Sequence, residues 1–264
     1  MSKKPTLTLL LSLLQCAALY AQKLPGKQES SIAIPANVKI NGKADEWNNQ
    51  YQAYNSATQL KYTIANNGND LYVLVNADDL TIIKKIGLFG ITVTVSPLSK
   101  NDNKISLTFP VTKINNILPQ PSLTMTDSLV ATTNRNFSSV AKTIKVTGVK
   151  DITDTETSIY NAYDIRVAAA LDAQRTYTCE FAIPLKYLGL TPQSGASLKF
   201  DIRINGPATN PWPTQTITQS PDGKYTAITA PVDGSGRTMT LEMYTTEFIS
   251  LTQAFNFSGT YKLQ

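Results

Sequence analysis

The sequence predicts an all-β domain, an antiparallel β-sandwich of jelly-roll-like layout with one or two short helical turns. Runs rich in Val, Ile, Thr, Tyr and Phe recur from Leu60 to Tyr244, a composition that suits a pleated, half-buried surface. Polar turns separate them. The clearest, Asn66-Asn67-Gly68-Asn69-Asp70, supplies Asn and Gly residues able to take the positive φ angles of tight hairpins. Helix signals are sparse.

Taken in order, the chain opens with a segment that fits export. Lys3 and Lys4 precede an apolar run from Leu7 to Leu19, and Ala21 offers a small residue before a cut at Gln22. That is the layout of a secretory signal over residues 1–21. The run falls short of the roughly 20 apolar residues of a helical span and is interrupted by Ser12 and Gln15. The mature chain is therefore expected to hold no transmembrane segment and to reach the periplasm or the extracellular space. Leu13-Leu14-Gln15-Cys16 also raises a lipoprotein reading; Gln15 stands against it, because the residue before a lipidated cysteine is normally small. Residues 22–33, rich in Lys, Gln, Ser and Gly, read as an N-terminal linker. Residues 34–264 read as one sandwich domain, a length that all-β folds reach as a single unit.

Within that domain strands are predicted at Leu60 to Ile64, Leu71 to Asn76, Gly87 to Ser96, Lys104 to Pro110, Thr143 to Val149, Tyr163 to Leu171, Thr176 to Ile183, Leu198 to Asn205 and Thr238 to Tyr244. Asp172-Ala173-Gln174-Arg175 is a second hairpin turn between well-patterned runs. Helical turns are predicted at Asp45 to Asn48 and from Pro184 to Gly189, the latter with Pro at its start and Gly just past its end. Residues Asn115 to Asn136, with Pro119 and Pro121 and no steady period, are expected to form a long loop or an insertion carrying short edge strands.

Composition narrows the chemistry. The chain contains no histidine, which removes Ser-His-Asp hydrolysis, Cys-His pairs, the usual zinc sites and ordinary axial haem ligation together. Once Cys16 leaves with the signal, Cys179 is the sole cysteine, so a disulfide within the chain cannot form. Its place in the apolar series Tyr177, Cys179, Phe181, Ile183 predicts a small buried hydrophobe. The precursor has 24 Lys and Arg against 19 Asp and Glu; loss of Lys3 and Lys4 leaves 22 against 19, a net charge of +3. That near-balance, without a clustered basic stripe, argues against nucleic acid as a partner.

Three segments together resemble family 9 carbohydrate-binding modules and the wider group of DOMON-like sandwiches. Val38-Lys39-Ile40-Asn41-Gly42-Lys43-Ala44-Asp45-Glu46-Trp47 is similar to the family's opening motif, with Asn41 in place of its leading Asp. Leu60 to Val75 resembles its first long hairpin. Tyr177 to Leu190, containing Glu180-Phe181-Ala182-Ile183-Pro184-Leu185, resembles a later strand and turn. The resemblance implies a non-catalytic binding domain for a glycan or another small polar ligand. It further implies a terminal sugar held between two aromatic side chains, one of them late in the domain, and structural calcium as a frequent companion of the fold.

Trp212, in Asn210-Pro211-Trp212-Pro213, is the candidate for the late aromatic. Prolines stiffen its loop, and a rigidly displayed indole can stack on a sugar face; the competing role is a plug at one end of the sandwich. Arg203 and Asn205 alternate with Ile202 and Ile204, so they share a polar strand face leading toward that loop. With Asn210 and Gln215 they complete the candidate ligand-binding set. Trp47 is read as a core residue pinning the opening motif. Asp45, Glu46, Asp78 and Asp79 are the candidate calcium ligands, since loop carboxylates suit that ion, and no other cofactor is expected. Glycosidase chemistry needs two carboxylates facing one sugar, and neighbouring carboxylates on a strand point to opposite faces, so it ranks below binding. Haem binding of the DOMON type is left with Met125, Met239 and Met243 as soft ligands in the mature chain. The alternative from a different class is a cell-envelope structural or interaction protein that keeps the sandwich without a sugar site.

Overall fold

A computed structural model describes residues 24–98, 103–111, 126–191, 195–207, 221 and 253–264, together with the backbone of two short strands at 216–219 and 225–228. Numbered along the chain, the strands are β1 (Ile32–Ala33), β2 (Ala53–Asn55), β3 (Leu60–Asn66), β4 (Asp70–Ala77), β5 (Ile91–Pro97), β6 (Ile105–Phe109), β7 (Thr143–Thr147), β8 (Glu156–Ser158), β9 (Arg166–Leu171), β10 (Tyr177–Pro184), β11 (Ser197–Ile204), β12 (Thr216–Gln219), β13 (Tyr225–Ile228) and β14 (Phe255–Lys262). The first sheet runs β1-β3-β4-β10-β9, with β2 also on β3; the second runs β14-β11-β5-β6-β7-β8; β12 and β13 pair with each other. Among the described pairs, β1 with β3 is parallel and the rest are antiparallel. This is the predicted all-β sandwich.

The core lies between the sheets. Tyr62, Ile64, Val73, Val75, Cys179 and Phe181 of the first sheet meet Val93, Val95, Leu107, Val146, Phe200 and Ile202 of the second in one continuous apolar cluster. The alternation of β5, Ile91-Thr92-Val93-Thr94-Val95-Ser96-Pro97, explains the second sheet: its apolar residues are buried and its hydroxyl residues half-exposed. Alternation puts one face in the core and leaves the other to water. The first sheet obeys a different rule. All residues of β10 are buried, as are those of β4 after Asp70, so both of its faces are covered.

The cover is the N-terminal segment. Ile32, Ile34, Val38, Ile40, Ala44, Trp47 and Tyr51 form a second apolar cluster with Ala65, Tyr72, Leu74 and Ala182 on the outer face of the first sheet. Earlier residues join in: the side chain of Gln28 accepts from the Ile64 N–H and donates to the Ile64 carbonyl, both at 2.7 Å. The segment expected as a linker over 22–33 is thus folded against β3 from Gln28 onward and contributes β1, with the Gln28 amide completing the ladder at Ile64 between the residues that pair with β2 and with β1.

One buried carboxylate fixes this cover. Glu180 of β10 is 2% exposed; the N–H groups of Asn41 and Gly42 each donate to its Oε2 at 2.9 Å, and the Trp47 Nε1–H donates to Oε1 at 3.4 Å. Gly42 sits at φ +79°, where a Cβ would lie 2.4 Å from the Ala169 backbone, so the position demands glycine both for conformation and for closeness. Trp47 ends a short 3-10 turn, Asp45–Trp47, and has the core role expected of it.

Two α-helices correct the expectation of helical turns alone. The turns are present, at Asp45–Trp47 and Leu185–Leu188. In addition α1 (Leu80–Phe89) leads from β4 in one sheet to β5 in the other, its first turn capped by Asp79, whose side chain accepts from the Thr81 and Ile82 N–H groups. The strand predicted from Gly87 therefore begins only at Ile91; Ile82, Ile83 and Ile86 fall on the helix's buried side, and their β-branched character masked a helical spacing. The helix α2 (Asp127–Val140) replaces the end of the predicted irregular stretch. Its Thr, Ser and Asn content gives it low helix propensity, and tertiary contacts hold it: Phe137 packs edge-on against Phe109 and Tyr177. The Asn134 amide also pairs with both the N–H and the carbonyl of Leu171 at 2.8 Å, covering the edge of β9. The edge strand β14 was not foreseen, and the strand predicted at Thr238 to Tyr244 lies outside the described residues.

Candidate functional site

The open face of the second sheet carries a groove of about 580 Å³. Its position follows from strand register. Reading across the sheet, Asn256 of β14 lies opposite Arg203 of β11, which lies opposite Thr92 of β5; Thr92 faces Thr108 of β6, Thr108 faces Lys145 of β7, and Lys145 faces Glu156 of β8. One residue pair further along the strands a second row follows: Ser258, Asp201, Thr94, Ser106, Thr147. Residues two apart on a strand share a face, so the two rows make one polar lattice. Within it the hydroxyls of Thr92 and Thr108 are 2.7 Å apart and those of Thr94 and Ser106 2.8 Å. Phe89, Leu88, Pro110 and Pro207 add apolar surface to the groove lining.

Of the ligand-binding residues predicted from sequence, Arg203 and Asn205 both line this groove. They do different things there. The Asn205 amide donates to the Phe89 carbonyl at 3.1 Å and meets the Thr92 hydroxyl at 2.9 Å. It ties the end of α1 to the sheet and positions its neighbours. The side chain of exposed Arg203 makes no hydrogen bond or ion pair among the described residues, so its guanidinium is open to solvent. Asn210, Trp212 and Gln215 lie outside the described residues. The groove residues that sequence reasoning passed over are Thr92, Ser106, Thr108, Lys145, Thr147 and Glu156. Their signal was the Thr-Val-Thr-Val-Ser alternation of β5 and its echoes in β6 and β7, legible as an outward hydroxyl face but not as a neighbourhood until the register was known.

The four candidate calcium ligands do not assemble. Asp79 spends its carboxylate on the α1 cap, Asp78 pairs with Lys61 at 2.8 Å, and Asp45 and Glu46 belong to the covering segment. Among the described residues no three His, Cys, Asp or Glu side chains converge, whereas calcium takes roughly six to eight oxygens. Glu46 does keep a buried Oε2 without a hydrogen-bond partner among the described residues, and its charge adds to the forces on Glu180. Burial lifts the Glu180 carboxyl to about 7 against the opposing pull of the Asn41, Gly42 and Trp47 donors, with the nearby Glu46 reinforcing the rise. Cys179 is fully buried, as its alternation predicts, and burial pushes its thiol well above the ordinary range, the opposite of what an activated nucleophile requires.

No family model and no curated protein matches the chain. Among solved structures it is similar to a family 9 carbohydrate-binding module from Caldicellulosiruptor kristjanssonii in complex with glucose, with 12% identity and a TM-score of 0.37 over 89% of this chain and 96% of that one. No helix among the described residues is long and apolar enough to cross a membrane.

Proposed function

We propose that this chain is an exported binding domain, without catalytic activity of its own, that takes a carbohydrate or a comparable polyhydroxylated ligand in the groove on the open sheet face. The observation that carries the reading is the ordered polar lattice of that face. Hydroxyls both donate and accept, so a floor of Thr92, Ser106, Thr108 and Thr147 flanked by Arg203, Lys145 and Glu156 offers the mixed hydrogen-bonding that sugar hydroxyls need. Half-buried Phe89 and the prolines supply the apolar contact that sugar ring faces need. Glu156 is the one carboxylate among the described groove-lining residues, and glycoside hydrolysis ordinarily uses two, which supports binding over catalysis. Export rests on the signal pattern of residues 1–21.

Trp212 is proposed as a stacking partner for the same ligand, since the described chain reaches the groove at Pro207, shortly before it in sequence. The test is a glycan array probed with the wild-type chain, Arg203→Ala and Trp212→Ala, each checked for an unchanged melting curve. Binding by the wild type that both variants lose supports the reading. Failure of the wild type to bind any glycan on the array overturns it in favour of an envelope structural role.

A further inference from the structure

We infer that the groove selects an acidic glycan, one carrying carboxylates along its length, and that this ligand lies across the strands with its acid groups over Arg203 and Lys145; the inference rests on the binding function proposed above. The two cations stand in the same cross-strand row, separated by Thr92 and Thr108. Three inter-strand steps of about 4.8 Å separate their backbones by roughly 14 Å, a span suited to an extended chain that presents acids at intervals.

Charge on the face supports the choice. The described groove lining holds Lys145 and Arg203 against Glu156. Among the described residues neither cation is in an ion pair. Asp201, which shares the outer side of β11 with Arg203, is instead held by the Asn256 amide at 2.6 Å. Lys145 faces Glu156 across β7 and β8 without closing to a salt bridge. A guanidinium left open beside a floor of hydroxyls matches a carboxylate flanked by ring hydroxyls, because the planar fork takes both carboxylate oxygens together. The Thr92 and Thr108 hydroxyls between the cations face the sugar hydroxyls that separate successive acid groups.

The test is calorimetric titration of the full chain with tetrasaccharides of galacturonate, mannuronate and glucuronate, each beside its carboxyl-reduced neutral counterpart, at low and high sodium chloride. The expected result is at least a tenfold preference for one acidic tetramer over its neutral counterpart at low salt, narrowing as salt screens the charges. Arg203→Gln and Lys145→Gln should each remove most of that preference, the acidic member losing far more affinity than its neutral counterpart, and Glu156→Gln should raise the affinity for the acid several-fold. Equal affinity for acidic and neutral members overturns the acidic specificity and leaves the binding function standing. An acid preference untouched by either cation variant places the acids elsewhere and overturns the assignment. Absence of binding to every member, together with an empty glycan array, overturns both.

Discussion

The outer faces of the two sheets make the sharpest contrast in this molecule. On the first sheet the face is roofed by residues 32–51, and even its polar groups are buried: Thr63, Asn76, Thr178 and Glu180 are all nearly inaccessible. On the second sheet the equivalent face is a lattice of hydroxyls and charges standing in water. A buried polar group must be hydrogen-bonded or it costs stability, so the roofed face is closely specified, with both carboxylate oxygens of Glu180 given donors. The open face carries no such demand. The segments that resemble a known family and the residues proposed to bind a ligand thus fall on opposite sides of the sandwich.

Breaking the roofed face should therefore cost far more than altering the open one. Trp47→Ala removes a buried indole and a donor to Glu180 and is expected to lower stability by about 3–5 kcal/mol, read from urea melts. Gly42→Ala should cost about 2–4 kcal/mol, combining left-handed backbone strain with a clash against Ala169; a variant that melts like wild type would show that the covering segment can shift away from β9.

The third effect is a pH dependence. With its carboxyl at about 7 in the fold and near its ordinary 4.5 when unfolded, Glu180 holds a proton in the native state that the denatured chain has released. Stability is then full below the unfolded value, falls as pH rises from about 4.5 to about 7, and levels above it, for a loss on the order of 3 kcal/mol. Glu180→Gln should flatten this slope in melts at pH 5 and pH 7.5; a slope that survives the substitution must belong to other carboxylates. At the small end, Thr108→Val on the open face should change stability by no more than about 0.5 kcal/mol while weakening ligand binding, and a large destabilisation would mean that the hydroxyl lattice is structural.

What could be read from the sequence divides along the same line. The strand of β5 and the buried series Tyr177, Cys179, Phe181 and Ile183 followed from residue order, whereas the burial of Thr178, Glu180 and Ala182 between them did not; the family-like opening around Gly42 and Trp47 was visible as a motif. Its meaning was not, because the partner of Asn41, Gly42 and Trp47 is a glutamate of a distant strand. Arg203 and Asn205 were legible as sharing one face. Thr92, Thr108, Lys145 and Glu156 were not legible as their neighbours, since register between β11, β5, β6, β7 and β8 joins residues far apart in the chain. The helices were missed for a local reason. Ile-rich α1 and Thr-rich α2 are built from residues whose intrinsic preference is extended, and packing overrides it.

The Glu180 contact also sets an order of events during synthesis. Its donors precede it by 133 to 139 residues, so the covering segment leaves the ribosome long before the strand that will hold it exists. Contacts of such separation form late, after the entropy of closing a long loop has been met by other pairings. The contacts that lock the roof to Glu180 are accordingly expected late, and until they form the cover rests on the outer face of the β3–β4 hairpin through its nearer contacts alone. Refolding of a Trp212→Phe variant, in which Trp47 is the sole fluorescent indole, should show the indole signal arriving after the bulk of the β-sheet circular dichroism; simultaneous arrival would mean that the cover docks as the sheet forms.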